Sequence, residues 1–194
     1  MSGTSVSLLE RLRRQPDAAS WQRLVAVYTP LIEGWLRRHL LPDADTDDLV
    51  QEVLAVVVRE LPRFEHSRRP GAFRSWLRTI TAHRLGDFWR ARHCRPEATG
   101  DSDFLKRLAQ LEDPASGLSR LWDEEHDRHV VSRLLEMIRP HFQPTTWRAF
   151  QGVMLEGQTP AAVAARLGTS VNAVLLAKSR VLNALRREAR GLID

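Results

Sequence analysis

The sequence predicts an all-α protein of two small helical domains joined by a linker. Three observations predict it. Apolar residues recur at helical spacing along most of the 194-residue chain. Prolines and capping residues cut that pattern into helix-sized lengths. Charge is sorted into blocks, basic from Arg59 to Arg95, acidic from Asp101 to Asp127 and basic again from Arg166 to Arg190. Residues 1–95 are expected to form the first domain, 96–121 the linker, and 122–194 a second domain containing a helix-turn-helix.

Pro16-Asp17 opens the first expected helix, with Asp17 as its N-cap. Trp21, Leu24, Val25 and Tyr28 form its apolar stripe. Pro30 should break it and start a second helix carrying Leu31, Ile32, Trp35 and Leu36. Pro42-Asp43 reads as a turn. Asp45 or Thr46 then caps a third helix, whose first turn holds Asp47 and Asp48 where the helix dipole favours them. Val50, Val53, Leu54, Val57, Val58 and Leu61 form its buried stripe. Asp48, Gln51, Glu52, Ala55 and Arg59 are left outside, and Pro62 ends the helix.

The stretch from Phe64 to Arg95 begins with a loop through Pro70-Gly71 and continues as a long helix broken only by Gly86. Phe73, Trp76, Leu77, Ile80, Phe88 and Ala91 share one broad face. Arg74, Arg78, Leu85, Trp89 and Arg92 fall on another, which mixes guanidinium groups with apolar and aromatic surface. Such a surface suits a phosphate backbone and unpaired bases. The alternative is that Trp89 packs under the following segment and the arginines are solvated.

Residues 95–119 contain Pro, Gly, Asp and Ser with weak periodicity and read as the linker. Phe104, Leu105, Leu108 and Leu111 allow a short helix within it. Beyond Trp122, the positions Val130, Val131, Leu134, Leu135 and Ile138 define a helix ended by Pro140. Thr145 should cap the next, which carries Trp147, Phe150, Val153, Met154 and Leu155 and ends at Gly157. Thr159 then caps a helix with Pro160 in its first position, Val163 and Leu167 turned inward and Ala164 small for a close neighbour. Gly168 permits a sharp turn and Ser170 caps the last helix, which is helix-turn-helix spacing. With Val174, Val181 and Leu185 inward, that last helix presents Asn172, Leu176, Ser179, Arg180 and Asn183 outward. Asn reads adenine, Arg reads guanine or holds phosphate, and Leu meets a thymine methyl.

Lysine and arginine number 29, of which only Lys106 and Lys178 are lysine, and the net charge is +5. Two basic blocks separated by an acidic one suggest two modules that touch one polyanion through a connector that does not. A single cysteine, Cys94, excludes an intramolecular disulfide and fits a reducing compartment. No apolar run approaches membrane-spanning length, and Glu10 and Arg11 argue against a signal peptide. A cytoplasmic protein that does not enter a membrane is expected. No phosphate loop, dinucleotide-binding glycine pattern or zinc-spaced Cys/His set is present. His126 and His129, three apart, read as solvated rather than as metal ligands. No catalytic residues, no metal and no cofactor are expected.

The helix Asp45-Thr46-Asp47-Asp48-Leu49-Val50-Gln51-Glu52-Val53, then Phe64, then Phe73-Arg74-Ser75-Trp76-Leu77 with Ile80 and Asp87, resembles the second conserved region of bacterial extracytoplasmic-function sigma factors. The C-terminal helix-turn-helix resembles their fourth region. The resemblance runs from about Ala18 to Arg190, in order and without a first or third region. It implies a transcription initiation factor that binds core RNA polymerase, directs it to promoters and helps melt the minus-ten region. By position, Asp48, Leu49, Gln51 and Glu52 match the helix that docks on the clamp of the β′ subunit. Phe64 with Arg68 and Arg69 matches the segment that captures a flipped base of the minus-ten element. Arg74, Arg78, His83 and Arg84 match the helix that meets that element as it opens. Ser170, Asn172, Leu176, Ser179 and Arg180 match the reader of the minus-35 element. Core RNA polymerase (β′ clamp and β subunit) and promoter DNA are the implied partners, with room for an anti-sigma factor. His83 stands where the family usually has Asn, and Val174-Leu175-Leu176-Ala177 is apolar where basic residues are frequent.

Two other classes stay open on the sequence. A helix-turn-helix repressor or activator that works without polymerase leaves the acidic face of the third helix unexplained. A helical adaptor that binds only protein leaves the two basic blocks unexplained.

Overall fold

A computed structural model describes residues 8–39, 43–64, 71–92 and 101–193. Among these residues the fold is all α, with nine α-helices and no strand. They are α1 (Leu8–Arg14), α2 (Ala18–His39), α3 (Asp43–Glu60), α4 (Ala72–Arg92), α5 (Asp101–Glu112), α6 (Gly117–Ile138), α7 (Pro144–Met154), α8 (Pro160–Leu167) and α9 (Val171–Ala189). They divide into two compact units. One holds residues 8–130 with 190–193, and the other residues 131–189. The division falls inside α6, whereas the sequence placed the second domain from residue 122.

In the first unit, Asp17 accepts from the Ser20 backbone N–H and hydroxyl, both at 2.8 Å, and caps α2 as expected. These bonds hold its carboxyl below the ordinary carboxylate range. Pro30 does not end α2, which continues to His39 as one helix. A proline inside a helix forfeits one backbone hydrogen bond. Here burial of Leu31, Ile32, Trp35 and Leu36 on the far side of it outweighs that loss. The short α1, with Leu8, Leu9 and Leu12 buried, was not expected from the sequence.

Helix α3 keeps the predicted pattern, with Val50, Val53, Leu54 and Val57 buried and Asp48, Gln51, Glu52, Ala55 and Arg59 exposed. Val58 is the exception and lies exposed. The helix begins at Asp43, so Asp45 and Thr46 lie within it rather than at its cap. Helix α4 is buried more widely than its expected stripe. Phe73, Leu77 and Ile80 are buried as predicted, but so are Arg78, Thr81, Ala82 and Leu85. Phe104 of α5 stacks on Trp89 with ring centroids 5.9 Å apart, and Leu108 and Leu111 are buried. Trp89 thus packs under the next segment, the alternative that the sequence left open.

The segment read as a linker is therefore helical and docked. Its turn into α6 is tightly bonded. Asp113 accepts from the Ala115 N–H at 2.9 Å, and the Ser116 hydroxyl caps α6 by accepting from the Ser119 N–H at 3.0 Å. Ser119 is fully buried and its hydroxyl meets the Gln110 and Leu111 carbonyls.

In the second unit, Ile138, Trp147, Phe150, Val181 and Ala184 form one apolar cluster. Ala149, Val163, Ala164, Val174 and Ala177 form another. Gln143, not Thr145, occupies the N-cap position of α7, without a side-chain bond to the helix, and Pro144 takes the first helical position. Met154 and Leu155, expected on the stripe of α7, are exposed. Gly152 admits α8: a Cβ there would lie 2.8 Å from Val163 Cγ2 and 2.6 Å from Arg166 Nη2.

Candidate functional site

The outer face of α3 offers Asp48, Gln51 and Glu52 to solvent. Asp48 and Glu52 are one turn apart, so their carboxylates lie on the same side. The neighbouring Asp47 accepts from Arg37 at 3.2 Å. Leu49, expected to join this face, is fully buried and anchors the helix instead.

Phe64 stands between the turn after α3 and the start of α4. Its ring lies 4.7 Å from that of Trp76 and 5.8 Å, edge-on, from that of Phe73. Phe73 in turn meets Tyr28 edge-on at 5.4 Å. Phe64 is half-buried in an aromatic cluster rather than free in a loop. Arg68 and Arg69 lie outside the described residues, as does the Arg92 side chain. His83 is exposed, and Arg84 is half-buried and paired with Asp87, which also takes Arg90.

The largest departure concerns Arg74 and Arg78, expected to face DNA. Arg78 is 5% exposed and donates from Nη1 to Asp123 Oδ1 at 2.9 Å. Arg74 donates from Nη1 to Asp127 Oδ2 at 2.6 Å, and its Nε lies 3.5 Å from Asp123 Oδ2. Two cations one turn apart on α4 therefore meet two carboxylates one turn apart on α6. Gly71, at φ 75°, leaves room for this: a Cβ there would sit 2.7 Å from Arg74 Nε.

The same half of α6 is fixed on α2. Trp122 packs edge-on against Trp35 with centroids 4.7 Å apart. Arg38 donates to Glu125 at 2.7 Å, and His129 donates from Nε2 to the Val27 carbonyl at 2.8 Å. His126 is fully buried, with Nδ1 2.9 Å from Asp127 Oδ1 and Nε2 3.3 Å from the Tyr28 hydroxyl. His126 is buried and His129 half-buried, contrary to the sequence reading, because each has a polar partner on the packed face. Burial raises the Asp127 carboxyl, but the His126 hydrogen bond and the Arg74 charge outweigh it, and its pKa falls below the ordinary value. Burial, followed by the Asp127 charge, pushes the Tyr28 hydroxyl well above its ordinary value. The sequence signal for this face was present but unused: Asp123 and Asp127 repeat the i, i+4 spacing of Arg74 and Arg78.

In the second unit, the Thr159 hydroxyl caps α8 by accepting from the Ala162 N–H at 3.3 Å. Gly168 ends it at φ 62°, ψ 37°, a left-handed conformation that glycine adopts without strain. The chain bends by 106° into α9, which Ser170 caps by accepting from the Ala173 N–H at 3.1 Å. Val174, Ala177, Val181 and Ala184 are buried, while Ser170, Asn172, Leu176, Ser179 and Arg180 are all exposed.

Residues 24–94, which run from within α2 to just beyond α4, match the family model described as sigma-70 region 2. That stretch is similar to sigma-70 region 2. No curated protein matches the chain. Within the matched residues, the acidic face of α3 and the His83 edge of α4 are exposed, while the Arg74–Arg78 edge is covered by α6. Among the described residues no three His, Cys, Asp or Glu side chains are grouped to hold a metal ion. No single described helix is long and apolar enough to cross a membrane.

Proposed function

We propose that this protein is an extracytoplasmic-function type sigma factor that acts in the cytoplasm. It binds bacterial core RNA polymerase, directs it to specific promoters and helps melt the minus-ten region. The observation that carries the reading is the region 2 match over a helix, α3, that holds Asp48, Gln51 and Glu52 on one exposed face. That face is the docking surface for the β′ clamp, and Leu49 beneath it keeps the helix seated. Phe64, Arg68, Arg69, His83 and Arg84 form the minus-ten surface. Capturing extruded bases on aromatic and guanidinium groups offsets the few kcal/mol needed to unstack each step. Arg74 and Arg78 join that surface only when α6 leaves α4. Residues 1–95 carry these two tasks.

The upstream element is read from residues 122–194, whose compact part is 131–189. The capped α8, the left-handed Gly168 and the 106° bend suit a helix-turn-helix, in which the second helix enters the major groove. Ser170, Asn172, Leu176, Ser179 and Arg180 are its outward residues. Contact with the β subunit and control by an anti-sigma factor complete the proposed partners. Gel filtration of the protein with purified core polymerase tests the reading. Co-elution is expected. Separate elution at micromolar concentrations and moderate salt contradicts it.

A further inference from the structure

The outward face of α9 is organised across its width. Asn172, Ser179 and Asn183 run down the middle, Leu175 lies to one side and Leu176 to the other, and Lys178 and Arg180 lie beyond them. Val171, Leu175 and Leu176 are 43%, 44% and 49% exposed. The core beneath is supplied by Val174, Ala177, Val181 and Ala184, and these three side chains lie outside it. Single exposed apolar residues are ordinary, but three in the first two turns of one face form a patch that asks for an occupant.

Charge identifies that occupant. On α9 itself Lys178, Arg180, Arg186 and Arg187 stand against Glu188 alone, so the helix favours a polyanion. An apolar protein partner has no use for cations on both rims, whereas a DNA groove is walled by phosphates on both sides. The thymine C5-methyl is the apolar group that bases display in the major groove. We infer that Leu175 and Leu176 read thymine methyl groups on either side of a base pair faced by Asn172, and that Lys178 and Arg180 hold the flanking phosphates. The upstream element is thus thymine-bearing duplex, with adenine the natural partner for the Asn172 amide. This inference rests on the proposed reading of α9 as the promoter reader.

The test uses the full-length protein with core polymerase. Promoters are selected from a library randomised upstream, and each selected thymine is then replaced singly by deoxyuridine, which pairs identically but lacks the methyl. The expected result is binding weaker by about fourfold for each contacted methyl removed. L175A and L176A, both at exposed positions, should each abolish the thymine–uracil difference at one site while circular dichroism stays unchanged. Equal binding of thymine and uracil at every selected position overturns the inference but leaves the promoter-reading role intact. So does a loss of polymerase binding in L175A or L176A with thymine–uracil discrimination retained, which would give the patch to a protein. A library that yields no upstream preference overturns the promoter-reading role itself, and the inference with it.

Discussion

Arg78 of α4 donates to Asp123 of α6 across 45 residues of sequence, at 2.9 Å and from a side chain that is almost wholly buried. Asp123 belongs to the acidic block that the charge pattern had set aside as a connector. Through Asp123 and Asp127 it neutralises part of the basic block instead. Removing one partner of a charged hydrogen bond leaves the buried guanidinium unpaired, at a cost of about 1.5–3 kcal/mol. Asp123→Asn with Asp127→Asn should lower stability by about that amount in urea unfolding. It should also free two guanidiniums for phosphate, steepening the salt dependence of promoter binding by about two. An unchanged salt slope would mean that Arg74 and Arg78 never reach DNA.

Acid should loosen the same contact. The folded-state pKa of Asp127 is lowered, by the His126 hydrogen bond and Arg74 acting against burial, so its ionised form contributes stability. That contribution is complete above the unfolded-state value of about 3.9 and is lost as pH falls through the lower folded-state value. Thermal unfolding between pH 7 and pH 2 should show this loss in the parent protein and a smaller one in Asp127→Asn. Parallel curves for the two proteins would separate Asp127 from the acid sensitivity.

Reversing Asp48 and Glu52 to Lys should abolish co-purification with core polymerase. Both side chains are exposed, so helicity and melting temperature should barely change. Retained co-purification in the double variant would remove the α3 face from the docking surface.

Glycine separates structural tolerance from requirement. Gly152→Ala sets a Cβ against the buried Val163 and should destabilise the protein by about 1–3 kcal/mol. Gly34, inside α2, has no side-chain or distant atom within 4 Å of its Cβ position. Gly34→Ala should therefore stabilise by about 0.5–1 kcal/mol. Equal effects of the two changes in urea unfolding would show that α7 and α8 adjust to the added methyl.

What the sequence revealed and what it hid have separate physical causes. The α3 pattern and the caps of α8 and α9 were legible because they depend on neighbours one turn away: Ser170 with Ala173, Thr159 with Ala162, Val50 with Val53 and Val57. Leu49 was misread because a motif match names a helix, not the direction of each side chain. Pro30 misled because its local cost is real but smaller than the burial on either side of it. Arg74, Arg78, Leu85 and Trp89 share a face, and periodicity gave that face correctly. It did not say that α5 and α6 would return to cover it, since Asp127 lies 53 residues from Arg74. Phe64 reads from the sequence as a loop residue, because nothing local announces its contact with Trp76, twelve positions on.

The aromatic cluster gives Phe64 two readings with different kinetics. Phe64→Ala should slow open-complex formation on duplex promoters and be partly rescued on a template carrying a pre-opened bubble. An equal defect on both templates would assign Phe64 to packing against Phe73 and Trp76 alone.

The central claim is that this chain gives polymerase its promoter choice. Run-off transcription with purified core polymerase on genomic promoter fragments measures it directly. Discrete transcripts that require the protein, and that vanish with the Asp48→Lys, Glu52→Lys variant, are the predicted result. Core polymerase that produces the same transcripts with and without the protein, although the protein is folded and bound to DNA, would contradict the account.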